Sequence, residues 1–186
     1  FWRQWQWPPL RVAHAHAAGV LHRDLKPANV LIRRSDGAPL IVDFGIALPL
    51  DVSRHLTETG EVLGSPGYLA PEQCGLGHAA SPATDVYGLG AVLYAALTGQ
   101  PPLQGASLIG TLDLVLNGTP RPPSALVPGV DPTLEAVCLR CLAKDPSERF
   151  ATPLELAAAL QEEPPSRPRS SLRLGLALAL LGVGLL

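Results

Sequence analysis

Hydrophobic and polar positions change period several times along the chain. Pro8 to Gly19 (PPLRVAHAHAAG) sets helix formers between a proline start and a glycine stop, which predicts a helix. Two short β-prone runs follow, Val30 to Arg33 and Leu40 to Val42, joined through Ser35-Asp36-Gly37, and this pattern predicts a small hairpin. From about Ile46 to Gly67 the periodicity fades into Thr, Ser and Gly, a stretch too long for an ordinary connection and therefore a functional or mobile loop. Helical spacing then returns at Thr84 to Thr98, at about Leu108 to Asn117, at about Pro132 to Ala143 and at about Pro153 to Gln161. The expected fold class is α+β, mainly α-helical after the hairpin.

Composition narrows the possible functions. A chain of 186 residues is long enough for one domain that buries roughly two-thirds of its surface. Net charge is -2 and charged residues make up 16%, so there is no basic field for nucleic acid. The chain has no Met and opens on Phe1, so the expectation is that it either starts inside a longer reading frame or has been processed. Cys138 and Cys141 form a C-x-x-C within an apolar helical pattern, with no second pair at zinc spacing; with Cys74 they read as buried thiols. His14 and His16, two apart on a helix, read as packing or surface residues rather than ligands. Lysine occurs only at Lys26 and Lys144, which draws attention to the motif around Lys26.

That motif is LHRDLKPANVL, Leu21 to Leu31: cations, a carboxylate and a carboxamide inside an apolar frame. Phosphoryl transfer from a nucleotide needs a carboxylate to orient the acceptor hydroxyl, hard oxygen ligands for Mg²⁺ and a cation for the transferring phosphate. Asp24, Lys26 and Asn29 supply these types, and Asp43 in VDFG follows at the far end of the hairpin. A hairpin brings its two ends together, so Asp24, Asn29 and Asp43 can face one pocket. Taken singly, Asp24-Lys26 reads as a surface ion pair and Asp43-Phe44-Gly45 as a turn; the joint spacing favours a site.

HRDLKPAN, DFG and APE (Ala70 to Glu72), in this order, resemble the catalytic loop, the metal-binding motif and the end of the activation segment of a eukaryotic-type (bacterial-like) serine/threonine protein kinase. SPATDVYGLGAVLYAALTG and CLAKDPSERF resemble later parts of the same C-terminal lobe, so the likeness runs from about Pro8 to Leu160. The resemblance implies a protein-kinase-like fold reduced to its C-lobe, with the N-lobe absent. No glycine-rich loop and no lysine precede Lys26, and GLGHAA (Gly75 to Ala80) follows APEQC rather than a strand, so it reads as a loop. FWRQWQW departs from the family. The resemblance further implies ATP and Mg²⁺ as cofactors and protein Ser/Thr side chains as substrates. Asp24 would orient the acceptor hydroxyl, Lys26 would neutralise the transferring phosphate, and Asn29 and Asp43 would hold Mg²⁺. His22 and Asp85 would brace the catalytic loop, and Glu72 and Arg149 would form a buried ion pair. Arg23 would sense a phosphate on the activation segment, Thr57 and Thr59 being the acceptors, while Ser65 would dock substrate. A catalytically silent kinase-like binding module is the rival reading, against which stands the full set of Asp24, Lys26, Asn29 and Asp43.

The organisation that follows is a partial kinase domain over 1–162, a Pro/Arg juxtamembrane linker over 163–172 and the start of a transmembrane helix over 173–186. Leu174 to Leu186 are 13 residues without a charge, against roughly 20 needed to cross a bilayer. Arg167, Arg169 and Arg173 stand just before them, which marks the cytoplasmic side. The expectation is a single-pass membrane protein with the kinase lobe in the cytoplasm.

Overall fold

The computed structural model describes residues 7–44, 66–74 and 79–161. Helix α1 (Trp7–Ala17) leads into a 3₁₀ turn at Pro27–Asn29 and the strands β1 (Val30–Ile32) and β2 (Pro39–Ile41). Two further 3₁₀ turns, Pro66–Tyr68 and Pro71–Cys74, precede α2 (Pro82–Thr98), α3 (Leu108–Asn117), α4 (Pro132–Cys141) and α5 (Pro153–Ala159). The α+β expectation holds: the described residues form a helical body with one small sheet. The Trp-rich start, Thr57, Thr59, Ser65, Gly75 to His78 and the apolar tail lie outside the described residues.

Helix α2 is the axis of the core. Twelve successive residues from Ala83 to Tyr94 are buried, so this helix is covered on every side rather than on one stripe. Ser81 precedes it in extended conformation, with its N–H given to the Thr84 hydroxyl, and Gly99 ends it at φ 76°, the left-handed conformation that glycine adopts without strain. Helix α4 packs closely along α2 because Gly90 has no side chain: a Cβ there would lie 2.3 Å from Cys141 Cβ. Cys138 Sγ reaches Gly90 O at 3.6 Å on the same seam. Helix α1 packs on α5 and β2, with Val12 fully buried, and closes the core around Leu156 and Leu160.

The helix ends follow their sequences. Asp131 accepts the N–H groups of Thr133 and Leu134 at the start of α4, and Thr152 accepts that of Glu155 at the start of α5. Lys144 Nζ donates to Leu114 O (3.2 Å) and Val115 O (2.5 Å), so a cation closes the C-terminal turn of α3. Burial, with Arg149 nearby, lowers the Lys144 ammonium to about 8. The hairpin pairs Val30 with Ile41 and Ile32 with Pro39. Its turn closes with Gly37 at φ 71° and a bidentate Arg33–Asp36 pair. β2 begins at Pro39 rather than Leu40, since a first strand position tolerates the missing N–H.

All three thiols are free; Cys138 and Cys141 are buried, as the sequence suggested, whereas Cys74 is only partly buried. Burial raises Cys74 to about 11 and Cys138 to about 12, so neither supplies a thiolate near neutral pH.

Glu72 and Arg149 form the buried pair. Two parallel contacts join them, Nη1 to Oε1 at 2.8 Å and Nη2 to Oε2 at 2.9 Å. Arg149 also donates to Ala83 O, Ala143 O and Lys144 O, which uses all five of its N–H groups, and its guanidinium lies 5.0 Å from the Tyr87 ring centroid. Thr84 donates its hydroxyl to Glu72 Oε1. Burial pushes the Glu72 carboxyl up, but hydrogen bonds and charge from Arg149, with Thr84 assisting, outweigh it and hold the group below its ordinary 4.5.

Glu72→Gln leaves Arg149 buried without its counter-ion and is expected to lower unfolding free energy by about 3–5 kcal/mol in urea titrations at neutral pH. Because the folded carboxyl sits below 4.5, its contribution is present above that pH and disappears as pH falls further. The stability difference between wild type and Glu72→Gln is thus expected to shrink on acidification below 4.5; a difference independent of pH would contradict the pairing. Gly90→Ala should overpack the α2–α4 seam and cost about 1–3 kcal/mol in the same assay, whereas no loss would mean that the seam yields freely.

Candidate active site

Pro27 opens the tight 3₁₀ turn Pro27–Asn29, which follows an extended Lys26 and folds Asn29 back over the preceding residues. Asn29 Nδ2 therefore donates to Asp24 O at 2.7 Å and to Asp24 Oδ2 at 3.1 Å. Lys26 Nζ meets the same carboxylate oxygen at 2.7 Å. Three of the four residues proposed from sequence thus converge on one carboxylate. Asp24 and Lys26 keep 29% and 24% of their side-chain surface open, so the pair is accessible from solvent. Asn29 is buried.

The hairpin register carries the fourth residue to the same end. Val42 N donates to Asn29 O at 3.0 Å, one step beyond the Val30–Ile41 pair, and Asp43 is the next residue. Asp43 is exposed and stands at φ 70°. With Asn29 Nδ2 engaged by Asp24, its side-chain Oδ1 has no partner among the described residues. A carboxamide oxygen and an exposed carboxylate are hard donors of the kind that suits Mg²⁺. No group of three or more His, Cys, Asp or Glu side chains that could hold a metal ion occurs among the described residues, at this site or elsewhere.

The loop is held from below. Asp85, on the first turn of α2, accepts His22 N–H at 2.8 Å through Oδ2 and Arg23 N–H at 2.7 Å through Oδ1. His22 is fully buried. Its Nδ1 accepts Asp24 N–H at 3.3 Å, so Nε2 carries the proton and donates to Val42 O at 3.0 Å. The ring also lies 4.7 Å from that of Phe44. His22 thereby ties the residue before Asp43 to the loop that bears Asp24. A Cβ on Gly88 would come within 2.7 Å of Leu25 Cβ, so the loop rests directly on the α2 backbone.

Two contributors were not legible in the sequence. His14 is exposed, but His16 donates Nε2–H to Asp85 Oδ2 at 2.7 Å and so supports the brace as well as packing. Gln73, 6% exposed, donates Nε2–H to Arg23 O at 2.6 Å and accepts Ala70 N–H at 3.0 Å through Oε1. These contacts span 69 and 50 residues, and neither residue sits in a pattern that marks it.

Comparison with known proteins gives the family. Residues 10–163 match the protein kinase domain family. Serine/threonine-protein kinase PknB of Mycobacterium tuberculosis is 41% identical over 160 residues, covering 83% of this chain and 25% of that protein. A probable serine/threonine-protein kinase of Corynebacterium efficiens is 41% identical over 159 residues, covering 81% and 24%, and Pkn1 of Myxococcus xanthus is 43% identical over 150 residues, covering 79% and 22%. The chain spans about a quarter of the length of these curated relatives. A family match over most of the chain, on a helical body that presents Asp24, Lys26 and Asn29 around one carboxylate, places this chain in the protein kinase domain family.

Proposed function

We propose that this chain contributes the catalytic loop and metal-binding end of a serine/threonine protein kinase, which transfers the γ-phosphate of ATP to a protein hydroxyl. The observation that carries the reading is the convergence of Lys26 Nζ and Asn29 Nδ2 on Asp24 Oδ2, at 2.7 and 3.1 Å. Asp24 orients the acceptor hydroxyl and takes its proton. Lys26, partly open to solvent, swings from Asp24 to the phosphoryl group in transit. Asn29 and Asp43 are the oxygen ligands for Mg²⁺, which when bound offsets the phosphate charge. Positioning carries most of the effect, which agrees with a loop whose backbone is fixed by His22, Asp85 and Gln73. The tested protein is the gene product expressed at its full length.

There, Asp24→Asn is expected to leave ATP binding nearly intact while lowering turnover by roughly a hundredfold or more. Asp43→Asn should weaken Mg²⁺-dependent nucleotide binding as well. Radiolabelled phosphotransfer and nucleotide titration separate the two; wild-type rates in both variants would refute the assignment, and an inactive wild type would favour the silent module.

We also propose that 163–172 is a juxtamembrane linker and that 173–186 begins a membrane anchor, with the kinase lobe on the cytoplasmic side. No helix among the described residues is long and apolar enough to cross a membrane, so the anchor rests on the uncharged run Leu174 to Leu186 and the arginines before it. The full-length gene product is expected to stay with the membrane pellet through carbonate extraction. Recovery in the soluble fraction would overturn the anchor.

A further inference from the structure

Arg23 adopts φ 65°, an uncommon conformation for a residue that bears a side chain, one position before Asp24. Such a conformation persists where its surroundings determine it from several sides. Asp85 Oδ1 takes the Arg23 N–H at 2.7 Å, and Gln73 Nε2 reaches the Arg23 carbonyl at 2.6 Å. The peptide plane between Arg23 and Asp24 is therefore gripped at both ends: its C=O by Gln73 and its N–H, at 3.3 Å, by His22 Nδ1. Rotation of that plane changes ψ of Arg23 and φ of Asp24 together, and with them the direction in which the Asp24 carboxylate leaves the backbone.

The amide orientation of Gln73 follows from valence. The Ala70 N–H can only donate and must meet Oε1; the Arg23 carbonyl can only accept and must meet Nε2. Both groups of the amide are thus committed, one to the catalytic loop and one to the Pro71–Cys74 turn on which Gln73 itself lies. Glu72, the neighbouring residue, is fixed by Arg149, so the turn is pinned to the core at one position and reaches the loop at the next.

We propose that Gln73 is a positioning residue for the phosphotransfer reaction: it sets the Arg23–Asp24 peptide and makes the aim of Asp24 depend on the Pro71–Cys74 turn being docked. The proposal rests on the kinase reading given above. Gln73 touches neither substrate nor nucleotide in this role, and acts only through the Arg23 carbonyl.

The test uses the full-length gene product with Gln73→Met, which keeps the length and removes both hydrogen bonds, and Gln73→Glu, which keeps the acceptor but opposes a carboxylate oxygen to the Arg23 carbonyl. Gln73→Met is expected to lower kcat roughly tenfold or more with KM for ATP unchanged. Gln73→Glu should be similarly impaired at alkaline pH and recover relative to wild type as pH falls, because a protonated carboxyl can donate to the carbonyl as the amide did. Amide hydrogen exchange provides a readout independent of activity: Arg23 and Asp24 should exchange faster in Gln73→Met. Wild-type kcat in both variants, or a loss confined to thermal stability, would overturn the proposal. An inactive wild type whose Arg23 and Asp24 amides still respond to Gln73→Met would refute the kinase reading and leave the clamp standing, whereas unchanged exchange would refute the clamp.

Discussion

The site depends on one buried carboxylate. Asp85 is 1% exposed and has no arginine or lysine partner among the described residues; it accepts instead from two consecutive backbone amides, His22 and Arg23, and from the His16 ring. A loop rich in polar side chains cannot be organised by apolar burial, so its backbone must find hydrogen-bond partners in the body of the protein. Asp85 provides them from the first turn of a helix that is itself buried on all sides. The precision of the loop is inherited from α2, and the bare backbone of Gly88 lets the loop approach close enough to use it.

The two ion pairs in the described residues that matter most have opposite character. Glu72–Arg149 is desolvated, bidentate and satisfied on every guanidinium donor, so it fixes the Pro71–Cys74 turn to the segment before α5. Asp24–Lys26 is a single contact between partly open side chains, the kind that contributes about 0–1 kcal/mol. Weakness suits its place. In the proposed reaction Lys26 would follow a phosphoryl group and so would have to leave its resting partner at little cost, whereas a turn that holds the loop in register must not move.

How much of this could be read from the sequence follows from the range of each interaction. Asp24, Lys26 and Asn29 lie within six positions, so spacing alone brings them together, and the hairpin turn at Ser35 to Gly37 accounts for Asp43. Proline at the first turn places the starts of α2, α4 and α5 to within two residues, while α4 and α5 stop about two residues earlier than periodicity suggests. His16 and Gln73 escaped because their partners are distant in sequence and their residue types are commonplace on surfaces. Only the fold reveals that a histidine of α1 and a glutamine of a 3₁₀ turn meet the same short loop.

Strain marks where that loop is under tension. The two side-chain-bearing residues at positive φ among the described residues, Arg23 and Asp43, stand on the two strands of chain that His22 joins. Each conformation costs of order 1 kcal/mol and is retained only while neighbouring groups hold it. Arg23 is held by Asp85 and Gln73, and the carbonyl just before Asp43 is held by His22. All of these partners are buried: Asp85 and Gln73 belong to the helix α2 and the Pro71–Cys74 turn, and His22 is enclosed beneath the loop. The backbone geometry at Asp24 and Asp43 is therefore bound to the integrity of the helical body, and under the proposed function a core substitution far from the site would disturb catalysis by relaxing the backbone that aims these carboxylates.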